Sequence, residues 1–125
     1  MTPTDRKYTK DHEWIIFEGE NARVGITAHA QEALGDIVYV ELPAIGAQIK
    51  AGESFAVVES VKAVSNVFTP VGGTIVEVND VLETEPQLLN ESPYENYIAL
   101  FKTSEIDEAA LLDAAAYDAF VESEG

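Results

Sequence analysis

Short β-prone runs divided by glycine and proline turns constrain the fold of this 125-residue chain more than any other feature. Residues 13–17 and 22–26 flank a turn-like segment and predict a β-hairpin. Gly72 and Gly73 are expected to turn the chain into a strand at residues 74–78. The other predicted strands cover residues 37–42, 54–60, 64–69 and 97–102, with a short strand or turn around residue 49. Seven or more short strands predict an antiparallel β sandwich or small barrel, and they do not fit alternating strand–helix units.

Short helices are predicted at the periphery of these strands. Thr27 is placed to cap a two-turn helix over residues 28–34, and Gly35 is placed to end it. Residues 85–90 fit a short helix that has Pro86 in its first turn. Helices of this length are unstable alone, so they must be held by packing.

A final helical region is predicted at the C-terminal end of the chain. Ser104 is placed to cap it, and the region extends to about residue 123. Its apolar residues form a stripe that can pack against the strands. They are Ile106, Leu111, Leu112, Tyr117, Phe120 and Val121.

Length and composition indicate one compact domain over residues 1–125. Hydrophobic residues make up 46% and charged residues 24% of the chain, which is ordinary for a folded domain. No apolar run approaches membrane-spanning length, and the N-terminal residues show no signal or transit peptide. We therefore expect a cytoplasmic protein.

The charge of the chain is strongly negative. Seven Lys and Arg residues face 23 Asp and Glu residues, which gives a net charge of −16. Such a field repels phosphate backbones and anionic membranes, so neither nucleic acid nor a membrane is an expected partner. The charge can serve solubility or steer the chain toward basic partner surfaces, and the sequence leaves both explanations open.

Few residues offer catalytic or metal-binding chemistry. The chain has no cysteine, which excludes disulfides, zinc–thiolate sites and thiol nucleophiles. His12 and His29 have no ligand partner at metal spacing, so no metal site is predicted. The carboxylates are scattered, no pair stands out as a general acid and base, and no catalytic residue is predicted. Glycine-rich phosphate-binding fingerprints are also lacking.

Lys62 stands between two predicted strands. The connection between residues 54–60 and 64–69 is about three residues long, so Lys62 must lie at or near a hairpin tip. Val61 and Ala63 flank it where tight hairpins favour Asn-Gly pairs, so a local rule is broken where a functional residue would lie. A lysine that merely keeps an edge turn soluble is the other explanation, and spacing alone favours it.

The segment around this lysine resembles the lipoylation motif of lipoyl domains, whose modified lysine lies at the tip of a β-hairpin. The matching residues are Glu59, Ser60, Val61, Lys62 and Ala63. Gly52 lies ten residues before Lys62 and Gly73 eleven after it, similar to the near-symmetric glycines of biotinyl and lipoyl carriers. Biotinyl carriers place methionines beside the lysine, so the resemblance favours lipoate over biotin.

Further segments extend the resemblance to glycine cleavage H proteins over residues 7–122. They are residues 8–14 (YTKDHEW), 25–27 (GIT), 31–43 (QEALGDIVYVELP), 90–94 (NESPY) and the acidic C-terminal helix. One departure is residues 95–98 (ENYI), where the family carries a Gly-Trp pair and one more residue. The resemblance implies a mostly β barrel-sandwich hybrid with short peripheral helices and a C-terminal helical segment.

The resemblance implies a non-catalytic carrier of one-carbon metabolism. In this family the P protein (glycine decarboxylase) loads the aminomethyl group of glycine onto a lipoyl-lysine arm. The T protein (aminomethyltransferase) unloads that group, and the L protein (dihydrolipoyl dehydrogenase) reoxidises the arm. By resemblance, lipoate is joined covalently to Lys62 by a lipoate-attaching enzyme. Glu13 resembles a residue of the cleft that shelters the loaded arm, whereas Phe55, Trp14 and Tyr39 are expected in the core.

Four other interpretations remain open. An H-like relay protein would pass lipoyl groups to other enzymes, and a biotinyl carrier would hold biotin on the same lysine. An enzyme using Lys62 as a Schiff-base nucleophile would need burial or nearby cations, whereas Glu59 and the net charge provide the reverse. An unmodified adaptor would tolerate Lys62→Arg.

Overall fold

The computed structural model describes residues 2–124. The strands in chain order are β1 (Lys7–Tyr8), β2 (Glu13–Glu18), β3 (Asn21–Ile26), β4 (Ile37–Glu41), β5 (Gln48–Ile49), β6 (Ser54–Ser60), β7 (Val64–Phe68), β8 (Val71–Val78) and β9 (Ala99–Ile106). The helices are α1 (Ala28–Leu34), α2 (Val81–Thr84), α3 (Leu88–Glu91), the 3-10 turn Glu108–Ala110 and α4 (Ala114–Glu124). None of the helices in residues 2–124 combines the length and apolar character needed to span a membrane.

Two antiparallel sheets form the body of the fold. One has six strands in the order β1-β2-β3-β9-β8-β5, and the other has three in the order β4-β6-β7. This arrangement confirms the mostly β fold expected from the sequence. The main core takes side chains from both sheets and from α2 and α3. Within it, Phe55 and Phe101 meet edge to face with ring centroids 5.2 Å apart, a favourable arrangement for aromatic pairs.

A second buried cluster attaches α4 to the first sheet. Tyr117 of α4 stacks on Tyr8 of β1 at 4.8 Å between ring centroids. Trp14 is 2% exposed, and its indole N–H donates to the carbonyl of Pro93 at 3.0 Å. The Arg6 guanidinium lies 4.6 Å from the centre of the Trp14 ring. This aromatic cluster fixes one side of the C-terminal helix.

The hairpin and first helix follow the local sequence signals. Strands β2 and β3 pair over residues 13–18 and 21–26, and this confirms the predicted hairpin. Thr27 caps α1, because its side chain accepts a hydrogen bond from the N–H of Ala30 at 3.2 Å. Gly35 ends the helix with φ +81°, a left-handed conformation that glycine adopts without strain.

The predicted turn at Gly72 and Gly73 is wrong, because both residues lie inside β8. A Cβ atom at Gly73 would overlap the carbonyl oxygen of Lys102 on the neighbouring strand. The pairing of β8 with β9 also shifts register between these two glycines. They therefore permit close approach of two backbones, whereas Gly52 has φ +89° and lies in a true turn.

The predicted helix cap at Ser104 is also wrong. Ser104 lies in β9, whose backbone pairs with β8, and helix α4 begins only at Ala114. The cap is Asp113, whose carboxylate accepts from the N–H of Ala116 at 2.8 Å. Sheet pairing across the chain outweighs the local capping signal of a serine.

The helix expected over residues 85–90 is only partly present, as α3 (Leu88–Glu91). Pro86 lies before it, and α2 (Val81–Thr84) lies before the predicted range. Each piece buries one leucine completely, Leu82 from α2 and Leu89 from α3. The two short helices thus anchor this segment in the core at two separate points. Proline cannot donate the hydrogen bond that would join the pieces.

Two of the three aromatic residues expected in the core are buried. Trp14 and Phe55 are 2% and 5% exposed, whereas Tyr39 is 48% exposed and its prediction is wrong. The pairing of β4 with β6 shifts register between Ile37 and Tyr39. Such a bulge breaks the alternation of side chains, so Val38 and Tyr39 both point outward.

Tyr97 and Ile98 anchor the segment 95–98, where the chain departs from the family pattern. Ile98 is fully buried, and its N–H donates to the carbonyl of Val24 at 2.8 Å. The Tyr97 hydroxyl donates to the carboxylate of Glu77 at 2.7 Å, and the Arg23 guanidinium lies 4.5 Å from the centre of the Tyr97 ring. A tyrosine therefore supplies an aromatic surface beside this strand.

Candidate functional site

Lys62 lies at the tip of the hairpin formed by β6 and β7. Glu59 and Val64 are the last paired residues before the tip, and the lysine side chain is exposed. Within residues 2–124, no carboxylate forms an ion pair with Lys62. The amine is therefore presented to solvent on a paired, regular element.

Ser60 closes the turn that carries the lysine. Its backbone N–H donates to the carbonyl of Ala63 at 2.8 Å. Its hydroxyl oxygen accepts from the N–H of Ala63 at 3.0 Å and from that of Lys62 at 3.2 Å. No residue of the tip has positive φ. Because the serine side chain supplies the acceptor, the turn needs no Asn-Gly pair and breaks no local rule.

The tip is also fastened to the turn between α1 and β4. The N–H of Val61 donates to the carbonyl of Asp36 at 3.0 Å. A Cβ atom at Gly35 would lie 3.4 Å from Cε of Lys62, so the lysine stem passes close over the end of α1. The hairpin tip is thus held on one side while the amine stays free.

Asn90 of α3 orders the turn on which the tip rests. Its amide N–H₂ group donates to the carbonyl of Gly35 and to the Gln31 side chain, both at 2.9 Å. Its amide oxygen accepts from the N–H of Ile37 at 2.9 Å. The sequence alone does not predict this role, since Asn90 lies 28 residues beyond Lys62. The only local signal was an amide side chain beside an apolar pair, which is common.

Exposed apolar side chains flank the lysine. Val61 and Val64 are 68% and 66% exposed. Tyr39, Glu59 and Val64 lie opposite one another across β4, β6 and β7, so their side chains share one face. The lysine therefore stands at the edge of a partly apolar surface with one carboxylate in it.

A cleft of about 230 Å³ lies at the other end of β7. Its lining includes Thr9, Lys10, Asp11, Glu13, Phe68, Thr69, Pro70 and Asp107. Strand β7 runs for about 13 Å between Val64 and Phe68, so one strand joins the lysine tip to this cleft. Three of the lining side chains are carboxylates and one is an amine, which favours a cationic or polar occupant.

Glu13 is the buried acid of the cleft, with only 3% of its surface exposed. Its carboxylate accepts from the Thr9 hydroxyl at 2.6 Å and from the N–H of Phe68 at 3.4 Å. Burial raises the pKa of Glu13 to about 7, although the Thr9 hydrogen bond acts in the opposite direction. A buried carboxyl with this pKa changes charge near neutral pH, and a neighbouring cation would favour its ionised form.

The two histidines lie together in space. Their ring centroids are 4.4 Å apart, and both approach the carboxylate of Glu124 at the end of α4. The sequence spacing did not predict this juxtaposition, because Glu124 is 112 residues away from His12.

Comparisons with known proteins agree over almost the whole chain. The family model described as Glycine cleavage H-protein matches residues 6–124. A protein of Deinococcus radiodurans named Glycine cleavage system H protein is 57% identical over 94% of this chain and 95% of its own. One of the same name from Geobacillus kaustophilus is 49% identical over 96% of each chain. A crystal structure of a glycine cleavage system H protein from Mycobacterium marinum superposes with a TM-score of 0.86, at 41% identity and 98% coverage of both chains.

Proposed function

This chain belongs to the glycine cleavage H-protein family, the lipoyl carriers of the glycine cleavage system, and we propose that its lipoyl group is attached to Lys62. One observation carries this proposal: Lys62 stands exposed, without an ion-pair partner in residues 2–124, at a hairpin tip whose backbone is ordered by Ser60. The attachment motif would be Glu59, Ser60, Val61 and Ala63 around it. We also propose that residues 1–125 form one carrier domain, and its cytoplasmic location stays a prediction.

The residues around Lys62 fit a lipoyl group attached by an amide bond. The lysine stem rests near Gly35, while the amine has no carboxylate partner among the described residues. An attaching enzyme can therefore reach the amine without breaking an ion pair. When attached, a lipoyl group supplies a disulfide that accepts the aminomethyl group and two electrons. The hairpin holds the attachment point of the arm in place, because a site on regular strands keeps its geometry better than one on a loose loop.

We propose that the Glu13 cleft shelters the loaded arm. The cleft lies along the same strand as the lysine, and its buried acid can take up negative charge near neutral pH. A cationic amine beside Glu13 would favour the ionised carboxylate, since opposite charges lower the pKa of an acid. Thr9 and the N–H of Phe68 hold that carboxylate in place. The walls of the cleft would exclude water from a labile group.

The proposed partners are the P protein, the T protein, the L protein and a lipoate-attaching enzyme. Each must bring its active site to Lys62, so each would contact the apolar face near Val61 and Val64. The net charge of −16 would accelerate encounters with basic surfaces. The chain itself acts as a carrier subunit.

The test is lipoylation followed by turnover. The full chain is incubated with lipoate, ATP and a lipoate ligase, and its intact mass is measured beside Lys62→Ala and Lys50→Ala. Lys50 is another exposed lysine, so it is the matched control. We expect one lipoyl group on the native chain and on Lys50→Ala, and none on Lys62→Ala. Lipoyl groups on Lys62→Ala, or none on the native chain with an active ligase, would contradict the assignment.

Turnover then distinguishes this carrier from a lipoyl relay. The lipoylated chain is mixed with P, T and L proteins, glycine, tetrahydrofolate and NAD, and NADH formation is followed. We expect NADH formation that depends on glycine and on the lipoylated chain. Full lipoylation without such activity, using partners that work with another family member, would contradict the glycine cleavage role.

A further inference from the structure

His12, His29 and Glu124 form a compact cluster outside the lysine tip and the Glu13 cleft. Nε2 of His12 lies 3.1 Å from Oε1 of Glu124, and Nε2 of His29 lies 3.9 Å from the same oxygen. One ligand atom from each residue lies within 4.8 Å of the other two. The three side chains come from the turn between β1 and β2, from α1 and from the end of α4.

The distances are close to those of a metal centre. Ligand bonds of 2.0–2.1 Å in tetrahedral zinc sites separate neighbouring donor atoms by about 3.3 Å. The two donor atoms that lie farthest apart in this cluster must therefore approach each other by at most about 1.5 Å. Side chains of His29 and Glu124 are 40% and 41% exposed, so rotation can bring them inward without disturbing the core.

His12 is the fixed member of the cluster. It is the only non-glycine residue in residues 2–124 with positive φ, at +66°. Its Nδ1 lies 2.8 Å from the Tyr117 hydroxyl, which in turn lies 2.8 Å from the hydroxyl of Thr27. Metal-binding histidines usually hold their second nitrogen in such a contact, which sets the tautomer and the direction of the ring.

The His12 and Tyr117 hydrogen bonds of this network can be made with or without a metal ion. Without metal, Nε2–H of His12 can donate to Glu124 while Nδ1 accepts from Tyr117. With metal on Nε2, Nδ1–H donates to the Tyr117 oxygen, and the Tyr117 hydroxyl donates to Thr27. The Thr27 oxygen already accepts from the N–H of Ala30, and its second lone pair can accept from the Tyr117 hydroxyl. Reversing the directions of the His12–Tyr117 and Tyr117–Thr27 hydrogen bonds therefore frees the Nε2 lone pair.

Charge also suits a bound cation. The surrounding field is negative, since the chain carries a net charge of −16. The two imidazole nitrogens favour zinc over calcium or magnesium, which take oxygen ligands, and zinc also accepts one carboxylate oxygen.

We propose that His12, His29 and Glu124 bind one zinc ion, with water in the fourth position. The ion would join the end of α4 to α1 and to the β1–β2 turn. About two turns earlier on the same face of α4, Tyr117 already stacks on Tyr8. Zinc binding would therefore stabilise the C-terminal helix, because a ligand that binds only the folded state raises its stability. The competing explanation is a plain His–Glu ion pair without metal affinity.

The test is a zinc titration by isothermal calorimetry. The untagged full chain is used before lipoylation, because a reduced lipoyl dithiol would bind zinc itself. His29→Ala and Glu124→Gln remove exposed ligands without opening the core. Glu122→Gln is the matched control, since it removes the same charge from the same helix. We expect one zinc per chain, at least tenfold weaker binding in His29→Ala and Glu124→Gln, and less than a twofold change in Glu122→Gln.

A second measurement identifies the ligands directly. The chain has two histidines, so its proton NMR spectrum has two imidazole Hε1 signals to follow. We expect zinc to shift both signals together until one equivalent is added, and to raise the midpoint of thermal unfolding. Unchanged affinity in His29→Ala, a shift of one histidine signal alone, or no saturable binding would overturn the proposal.

Discussion

The hydroxyl oxygen of Ser60 lies 3.0 Å from the backbone nitrogen of Ala63 and accepts its hydrogen bond across the tip that carries Lys62. The same oxygen accepts from the N–H of Lys62 at 3.2 Å. One side chain thus orders both amides of the turn. A serine two residues before the lysine is therefore part of the machinery that presents it.

Ser60→Ala should slow lipoylation more than it destabilises the fold. We expect a loss of about 1 kcal/mol in the free energy of unfolding, as for a single hydrogen-bonding group. The rate of lipoate attachment should fall several-fold, because the tip becomes less ordered before it meets the ligase. Ser65→Ala, a nearby change in β7, is the control. Equal attachment rates in both variants, measured by intact mass against time, would contradict a role for the turn.

Glu13→Gln should remove a pH dependence from the stability of the fold. The pKa of Glu13 rises from its ordinary value of 4.5 to about 7 on folding. Below pH 4.5 both states are protonated and no penalty exists. Between pH 4.5 and 7, Glu13 is ionised in the unfolded chain but still protonated in the folded one. Its contribution to the free energy of unfolding therefore falls with rising pH, by about 3 kcal/mol in all.

The measurement is the difference in free energy of unfolding between the native chain and Glu13→Gln from pH 4.5 to 8. Glu13→Gln should become more stable relative to the native chain as the pH rises. EDTA keeps the proposed zinc site empty, and Glu122→Gln controls for the loss of one negative charge. A difference that stays constant with pH would show that Glu13 ionises at its ordinary pKa.

Gly25→Ala should destabilise the protein although Gly25 does not have positive φ. A Cβ atom there would lie 2.6 Å from carbons of the Trp14 ring, and that ring is held by its hydrogen bond to Pro93. Moving the indole costs packing and a buried hydrogen bond, together about 2–4 kcal/mol. Guanidinium unfolding followed by circular dichroism gives this value.

Gly19→Asn is the contrasting variant. Gly19 has φ +62°, but a Cβ atom there would have no neighbour within 4 Å, and asparagine tolerates this conformation better than most residues. We expect a loss below about 1 kcal/mol. A larger loss at Gly19 than at Gly25 would show that backbone conformation, and not the Trp14 contact, limits these glycines.

Local patterns predicted much of the fold. Residues 54–60 were expected as a strand and form β6 with the same bounds, because β-prone residues end there at a turn. Thr27 and Gly35 act as predicted, since a cap needs only neighbours along the chain. The wrong predictions at Gly73 and Ser104 arise where contacts between distant segments decide the structure. There, pairing of β8 with β9 decides the conformation, and no nearby residue reports it.

The candidate site divides in the same way. Lys62 at a hairpin tip could be predicted from the short connection between two strands. The support from Asn90 and the cluster of His12 with Glu124 could not, because each depends on packing between distant segments. Burial of Glu13 was missed for the same reason, since Phe68 covers it from another strand.

The aromatic ring of Tyr97 should be energetically coupled to Arg23. The guanidinium lies 4.5 Å from the ring centre, and Glu77 contacts both the tyrosine hydroxyl and the arginine. A double-mutant cycle of Arg23→Ala and Tyr97→Ala should give about 0.5–1 kcal/mol, as for a partly exposed cation–π pair. Tyr97→Phe keeps the ring and should retain most of this coupling. Coupling near zero in the alanine cycle would mean that Tyr97 fills space beside Ile98 without binding Arg23, and that the tryptophan found in the family has no electrostatic substitute here.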